Sequence, residues 1–209
     1  MFEGAEWQSA ASLLLKRIAR ACCGAQMNEV LQLLIDWIET PIGEMAIVAD
    51  REGNLRATIW RDHEPRLQPV LQHHYGVDGF TLEPAGNPNA LSEAIQRYFA
   101  GELTAIDALP VETTGTAFQR EVWLALRGIA CGTTISYAQL AEKVGRPKAV
   151  RAVGLANGAN PVGVVVPCHR VIGADGSLTG YGGGISRKSW LLEHEGVRAV
   201  AGARQRAMF

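Results

Sequence analysis

Ser136-Tyr137-Ala138-Gln139-Leu140-Ala141-Glu142-Lys143-Val144-Gly145-Arg146-Pro147-Lys148-Ala149-Val150-Arg151-Ala152-Val153-Gly154-Leu155-Ala156-Asn157 is the stretch on which the fold turns. Ser136 is an N-cap residue type, which predicts a helix over Tyr137 to Val144. Gly145-Arg146-Pro147 breaks that helix, and a second follows through Asn157. Two short helices around a tight, glycine-containing turn fit a helix-turn-helix, although a plain helical hairpin shares the pattern. The second helix sets Lys148 and Arg151 among Ala149, Ala152, Gly154, Ala156 and Gly158. Small side chains let a helix lie close against a groove, and basic ones near its start neutralise phosphates or enter the duplex. No acidic residue stands between Lys143 and Arg170.

Immediately downstream runs Asn160-Pro161-Val162-Gly163-Val164-Val165-Val166-Pro167-Cys168-His169-Arg170-Val171-Ile172-Gly173. A turn opens it, a β-branched apolar stretch follows, and a cysteine, a histidine and an arginine then stand side by side. A cysteine ending a buried run is ordinarily a small core hydrophobe. Its neighbours here make it a candidate nucleophile, because hydrogen-bonding and cationic groups favour the reactive thiolate. Adjacent side chains rarely touch, so His169 reaches the sulfur best through a bridging water. The imidazole then needs a carboxylate to fix its tautomer, and Glu195 of His194-Glu195-Gly196 is the candidate. The competing reading of Glu195 is an exposed charge near a helix end. Between them, Gly180-Tyr181-Gly182-Gly183-Gly184 lacks the Lys-Ser/Thr of a phosphate loop and reads as one wall of a base-sized pocket.

Further out, Thr116 to Arg127 has helical spacing through Phe118, Val122, Leu126 and Ile129, and Pro110 to Gly115 reads as a linker. Residues 36–112 read as a small α/β unit. Met45–Asp50 and Leu55–Trp60 are strands joined around Glu52-Gly53-Asn54, and His63–Tyr75 is a helix closed by Gly76. Gly79–Glu83 is a short strand. A helix capped by Asn89 or Ser92 ends near Phe99. Residues 1–35 read as a detachable extension with one amphipathic helix through Leu13, Leu14, Ile18 and Cys22, and Met27 is an alternative start. The expected division is therefore 1–35, 36–112, 113–198 and a tail over 199–209.

Of the 209 residues, 47% are hydrophobic and 20% charged, enough apolar material for a core without staples. Charge is unevenly placed. Residues 1–115 hold 8 Lys+Arg against 16 Asp+Glu, and residues 116–209 hold 12 against 5, so the back half is the one suited to a polyanion. Cys22, Cys23, Cys131 and Cys168 form neither a CxxC pair nor a zinc spacing, which predicts a reducing, cytoplasmic setting. No apolar run is long enough for a membrane span, and basic residues follow rather than precede Leu13-Leu14-Leu15, unlike a secretory signal.

Pro167-Cys168-His169-Arg170 resembles the signature of the O6-alkylguanine-DNA alkyltransferases. So do Thr116-Ala117-Phe118-Gln119 with Val122-Trp123, Ser136-Tyr137, Arg151-Ala152-Val153-Gly154, Asn160-Pro161, Tyr181-Gly182-Gly183-Gly184 and His194-Glu195-Gly196. The likeness covers nearly all of residues 36–197 and is greatest to the bacterial constitutive form. It implies an N-terminal ribonuclease-H-like α/β domain and a C-terminal winged helix-turn-helix domain. It also implies a single irreversible transfer of the alkyl group of O6-alkylguanine, or O4-alkylthymine, from double-stranded DNA to Cys168. On this likeness His169 is the water-mediated base, Glu195 orients it, and Asn160 ties the helix-turn-helix to the reactive segment. Arg151 fills the gap left by the flipped base and Tyr137 promotes flipping. The carbonyls of Cys168 and Val171 read the exocyclic amine, and Gly182 and Gly183 wall the base.

A monomer without cofactor is expected. Some relatives hold zinc in the first domain, but residues 36–115 contain no cysteine, and His63, His73 and His74 read as surface helix residues, so no metal is expected. The leader is too short and too poor in cysteine to be the sensor domain of inducible relatives, which removes the main reason to expect transcriptional activation. Ala130 stands where the family often has proline, which implies a looser turn before Ser136. Two other classes stay open: a thiol hydrolase, which would need turnover and an oxyanion hole, and a non-catalytic lesion binder, whose relatives replace the acceptor cysteine.

Overall fold

The computed structural model describes residues 30–197. The helix expected around Leu13 to Cys22 and the tail 199–209 lie outside the described residues. The first element is a strand, β1 (Leu31–Ile38), so the boundary expected at residue 36 falls inside it and the α/β unit starts earlier. β1 pairs on both sides. A strand covered on both sides runs apolar almost continuously, as Leu31-Gln32-Leu33-Leu34-Ile35 does, and periodicity alone does not separate such a run from helix.

β2 (Met45–Asp50) and β3 (Leu55–Trp60) form the expected hairpin. Gly53 takes φ +89° in its turn, and the Asp50 carboxylate accepts from the Asn54 backbone at 2.7 Å and pairs with Arg56 at 2.5 Å. β4 (Phe80–Pro84) lies parallel to β1, giving the sheet order β3-β2-β1-β4.

The helix expected over His63–Tyr75 divides into a 3-10 stretch, Arg61–Arg66, and α1 (Leu67–Tyr75). Pro65, which lacks an N–H, sits in the 3-10 part. α2 (Leu91–Phe99) is capped by neither Asn89 nor Ser92. Asn87 Oδ1 accepts from the Glu93 N–H at 3.0 Å instead, and Ser92 Oγ is buried without a partner.

Both faces of the sheet are covered. Leu33, Val48 and Ala57 pack with Leu67 and Leu71 of α1 on one side. Met45, Ile47, Ala49 and Leu55 meet Leu91, Ile95 and Tyr98 of α2 on the other, in a core that continues into the second half through Val122, Trp123 and Leu126. The second half holds α3 (Ala117–Arg127), β5 (Ile135–Ser136), α4 (Tyr137–Lys143), α5 (Val150–Gly158), β6 (Val171–Ile172) and α6 (Ile185–His194). Thr116 with Gln119 and Ser136 with Gln139 form reciprocal capping boxes that start α3 and α4. β5 and β6 pair in parallel. α5 buries Val153, Ala156 and Asn157, and Trp123 Nε1 donates to the Ala156 carbonyl at 2.8 Å. Its opposite face leaves Arg151, Ala152 and Leu155 exposed.

The outer edge of β3 is occupied twice. The Leu55 N–H donates to Pro110 O at 2.8 Å, and the Thr58 N–H donates to Pro161 O at 2.9 Å. An open edge strand is a pairing template. Here it receives the linker and then the reactive segment, which Thr58 Oγ1 secures through Gly163 O at 3.0 Å. Among the described residues no helix is long and apolar enough to cross a membrane.

Candidate active site

The valine run before Cys168 is not a strand. The Val165 N–H donates to Gly163 O across Val164 at φ +70°, and the Cys168 N–H donates to Val166 O around Pro167. These are successive γ-turns. A β-branched residue at positive φ costs on the order of 1–3 kcal/mol. Burial of Val162, Val164, Val165 and Val166 offsets that strain and holds the segment. Asn160 binds it from inside: its Nδ2 donates to Val166 O at 2.8 Å, and its Oδ1 accepts from the Val162 N–H at 3.0 Å.

Cys168 opens the 3-10 turn Cys168–Arg170 and is 8% exposed. Its side chain borders a cavity of about 510 Å³ that Asn160, Gly182 and Gly183 also line, together with Thr58, Trp60 and Tyr181. Burial pushes the Cys168 thiol up, while a hydrogen bond with Asn160 and the nearby Lys188 ammonium pull it down.

His169 is fully buried and its Nε2 lies 2.9 Å from Glu195 Oε1. An ionised carboxylate only accepts, so Nε2 carries the proton and the buried Nδ1, which has no partner in the protein, is the basic edge. Burial draws the imidazole below the usual histidine range, against the pull of Glu195. The exposed reading of Glu195 is thus excluded: its side chain is 0% exposed. Arg170 grips it with Nε at 2.9 Å and Nη2 at 2.8 Å, and Tyr98 Oη donates at 2.8 Å. Burial opposes the charge on Glu195, but the bonds from His169 and Arg170 prevail and hold its carboxyl at about 2.

Of the remaining predicted residues, Val171 and Tyr137 lie near Cys168, and Arg151 does not. Val171 O accepts from Lys188 Nζ at 2.6 Å, and Cys168 O accepts from the Val171 N–H, so each carbonyl keeps a second lone pair. Tyr137 packs beside Gly154 of α5, where a Cβ would stand 3.7 Å from its ring. Burial raises its phenol, as does the charge of the nearby Cys168. Arg151 is exposed on α5, apart from the cavity lining. Among the described residues no His, Cys, Asp or Glu cluster could hold a metal.

Sequence reading missed Tyr98, the grip of Arg170, and Lys188. Lys188 is fully buried, donates to Val171 O and Thr179 O at 2.6 and 2.7 Å, and is brought by burial down to about 8. One signal was available. Arg187 and Lys188 lie in the first turn of α6, where the helix dipole favours acids, so these cations have partners elsewhere.

A sheet-braced helix pair, a buried thiol at a cavity and a carboxylate-fixed imidazole define a cysteine-centred group-transfer class of protein. Residues 117–197 match the family model described as 6-O-methylguanine DNA methyltransferase, DNA binding domain. The chain is 52% identical over 167 residues to the methylated-DNA–protein-cysteine methyltransferase of Shigella flexneri, covering 80% of this chain and 98% of that one. It is 45% identical over 164 residues to the protein of the same name from Mycobacterium tuberculosis strain H37Rv, covering 78% and 93%. Among solved structures, the M. tuberculosis protein in complex with DNA superposes with a TM-score of 0.66 at 40% identity, covering 82% of this chain and 96% of that one. The enzyme of Pyrococcus kodakaraensis KOD1 gives 0.61 at 28% identity, covering 79% and 99%. The chain belongs to the methylated-DNA–protein-cysteine methyltransferase family.

Proposed function

We propose that this protein repairs DNA by one irreversible transfer of the alkyl group of O6-alkylguanine, or O4-alkylthymine, onto Cys168. The observation that carries the reading is Cys168 on the wall of a cavity of about 510 Å³, followed directly in the chain by a His169 whose imidazole is held by Glu195. His169 Nδ1 takes the thiol proton through a water, and Glu195 holds the imidazolium that forms. The thiolate attacks the alkyl carbon, the C–O bond breaks, and the departing base takes a proton, which on this reading the Tyr137 hydroxyl donates. The carbonyls of Cys168 and Val171 read the exocyclic amine, and Gly182 and Gly183 wall the base. A thioether is a poor leaving group, so the protein is spent after one event.

α5 delivers the substrate. Its exposed Arg151 enters the space left by the flipped nucleotide, and flipping costs a few kcal/mol, less for a badly paired lesion. The order β3-β2-β1-β4 with β1 and β4 parallel supports a ribonuclease-H-like first domain, and α4 with α5 beside the β5-β6 pair supports a winged helix-turn-helix second domain. The free thiols of Cys131 and Cys168 fit a reducing, cytoplasmic setting.

The test is mass spectrometry after mixing with an oligonucleotide carrying one O6-methylguanine. A single gain of about 14 Da (one methylene, as a thiolate acceptor requires) confined to the Cys168 peptide is expected. Repeated turnover, or tight binding without a mass change, would overturn the proposal.

A further inference from the structure

Arg187 joins three separate pieces of the molecule. Its Nε donates to Ile42 O at 2.9 Å, and its Nη1 donates to Asp62 Oδ2 at 2.9 Å and to Gly183 O at 3.0 Å. Its guanidinium lies over the Trp60 ring, 4.5 Å from the centroid, and its side chain is only 16% exposed. Ile42, Trp60 and Asp62 belong to the first half of the chain, whereas Gly183 belongs to the glycine loop. Trp60 itself touches that loop: a Cβ on Gly183 would fall 2.4 Å from Trp60 Nε1. Trp60, Gly183 and Cys168 line one cavity.

We propose that Arg187 is a positioning residue, through which the sheet-bearing half sets the distance between the glycine wall and Cys168. The inference rests on the alkyl-transfer reading. A guanidinium offers donors in a rigid plane, so its accepting groups are held at fixed separations, which a single ammonium does not reproduce. In-line attack on an alkyl carbon tolerates little displacement, and an error of about 1 Å costs on the order of 100-fold in rate. Duplex affinity, by contrast, is carried by the exposed face of α5, which Arg187 does not touch.

The experiment compares wild type, Arg187→Met and Arg187→Lys in single-turnover transfer at saturating O6-methylguanine duplex. Binding to the same duplex, melting temperature and reaction with the free base O6-benzylguanine are measured alongside. In Arg187→Met the transfer rate at saturation should fall about 10- to 100-fold, and the free-base rate should fall in parallel. Duplex affinity should stay within about twofold, since α5 is unaltered. Arg187→Lys should fall between Arg187→Met and wild type. A folded Arg187→Met with wild-type rate at saturation, or a loss that follows duplex affinity alone, overturns the proposal. If Arg187→Met does not fold, a rate in Arg187→Lys equal to wild type overturns it. Absence of any mass gain in wild type would instead refute the alkyl-transfer reading.

Discussion

At Cys168 burial raises the thiol and outweighs the hydrogen bond from Asn160, the largest of the contributions that pull it down. The Asn160 amide serves three times, bonding Val166 O and the Val162 N–H within the turn and interacting with the sulfur. Asn160→Ala removes all three. The thiol should then titrate higher, so the pH profile of single-turnover transfer should move to the alkaline side. Loss of the bond to Val166 O should cost about 1–3 kcal/mol in urea unfolding. A profile that stays in place while stability falls would show that Asn160 only builds the turn. Residue order alone did not show these contacts, although the family likeness had tied Asn160 to the reactive segment. The sequence put Asn160, Cys168 and His169 in one segment and nominated Glu195 from 26 residues away. It did not disclose that Val164 takes a left-handed conformation, because a β-branched residue is the last type expected there.

Elements were legible where local chemistry set them. The Gly53 hairpin and the Ser136 cap rest on contacts within a few residues and were found where expected, whereas the Thr116–Gln119 box had not been read from the sequence. β1 was missed because a strand paired on both sides runs apolar almost without alternation, a run that periodicity alone does not separate from helix. The start of α2 was misread because the cap comes from Asn87, before a kinked Pro88–Ala90 turn. The helix pair α4–α5 permits a test that separates building from binding. Ser136→Ala deletes a cap and should cost about 1 kcal/mol of stability, read as a lower urea midpoint. Arg151→Ala removes an exposed side chain and should leave stability within about 0.5 kcal/mol. It should nonetheless slow transfer from duplex while sparing reaction with a free O6-alkylguanine base. Equal slowing with both substrates would place Arg151 in the chemistry and not in delivery of the base.

The two halves of the molecule meet in one buried polar cluster. Tyr98 comes from α2 of the first half, while His169, Arg170 and Glu195 come from the second, and all four are buried. A charge taken out of water is tolerated only with such complete pairing. On the proposed mechanism the cluster links catalysis to the stability of the whole fold, with a definite sign in pH. The folded-state pKa of Glu195 is depressed, from 4.5 to about 2, so its contribution is present above pH 4.5 and is lost as pH falls through that interval. At 1.36 kcal/mol per pKa unit the contribution is about 3 kcal/mol. The folded-state pKa of His169 is likewise depressed, so its neutral burial favours folding above the usual histidine range and opposes it below. Asp50 and other paired carboxylates also titrate in acid, so total acid sensitivity does not isolate the cluster. The difference between wild type and Glu195→Gln does. Wild type should be the more stable at pH 7, and the gap in urea unfolding free energy should narrow by about 3 kcal/mol between pH 5 and pH 2. A gap that stays constant across that range would mean Glu195 is held by packing alone, and the relay to His169 would lose its electrostatic basis.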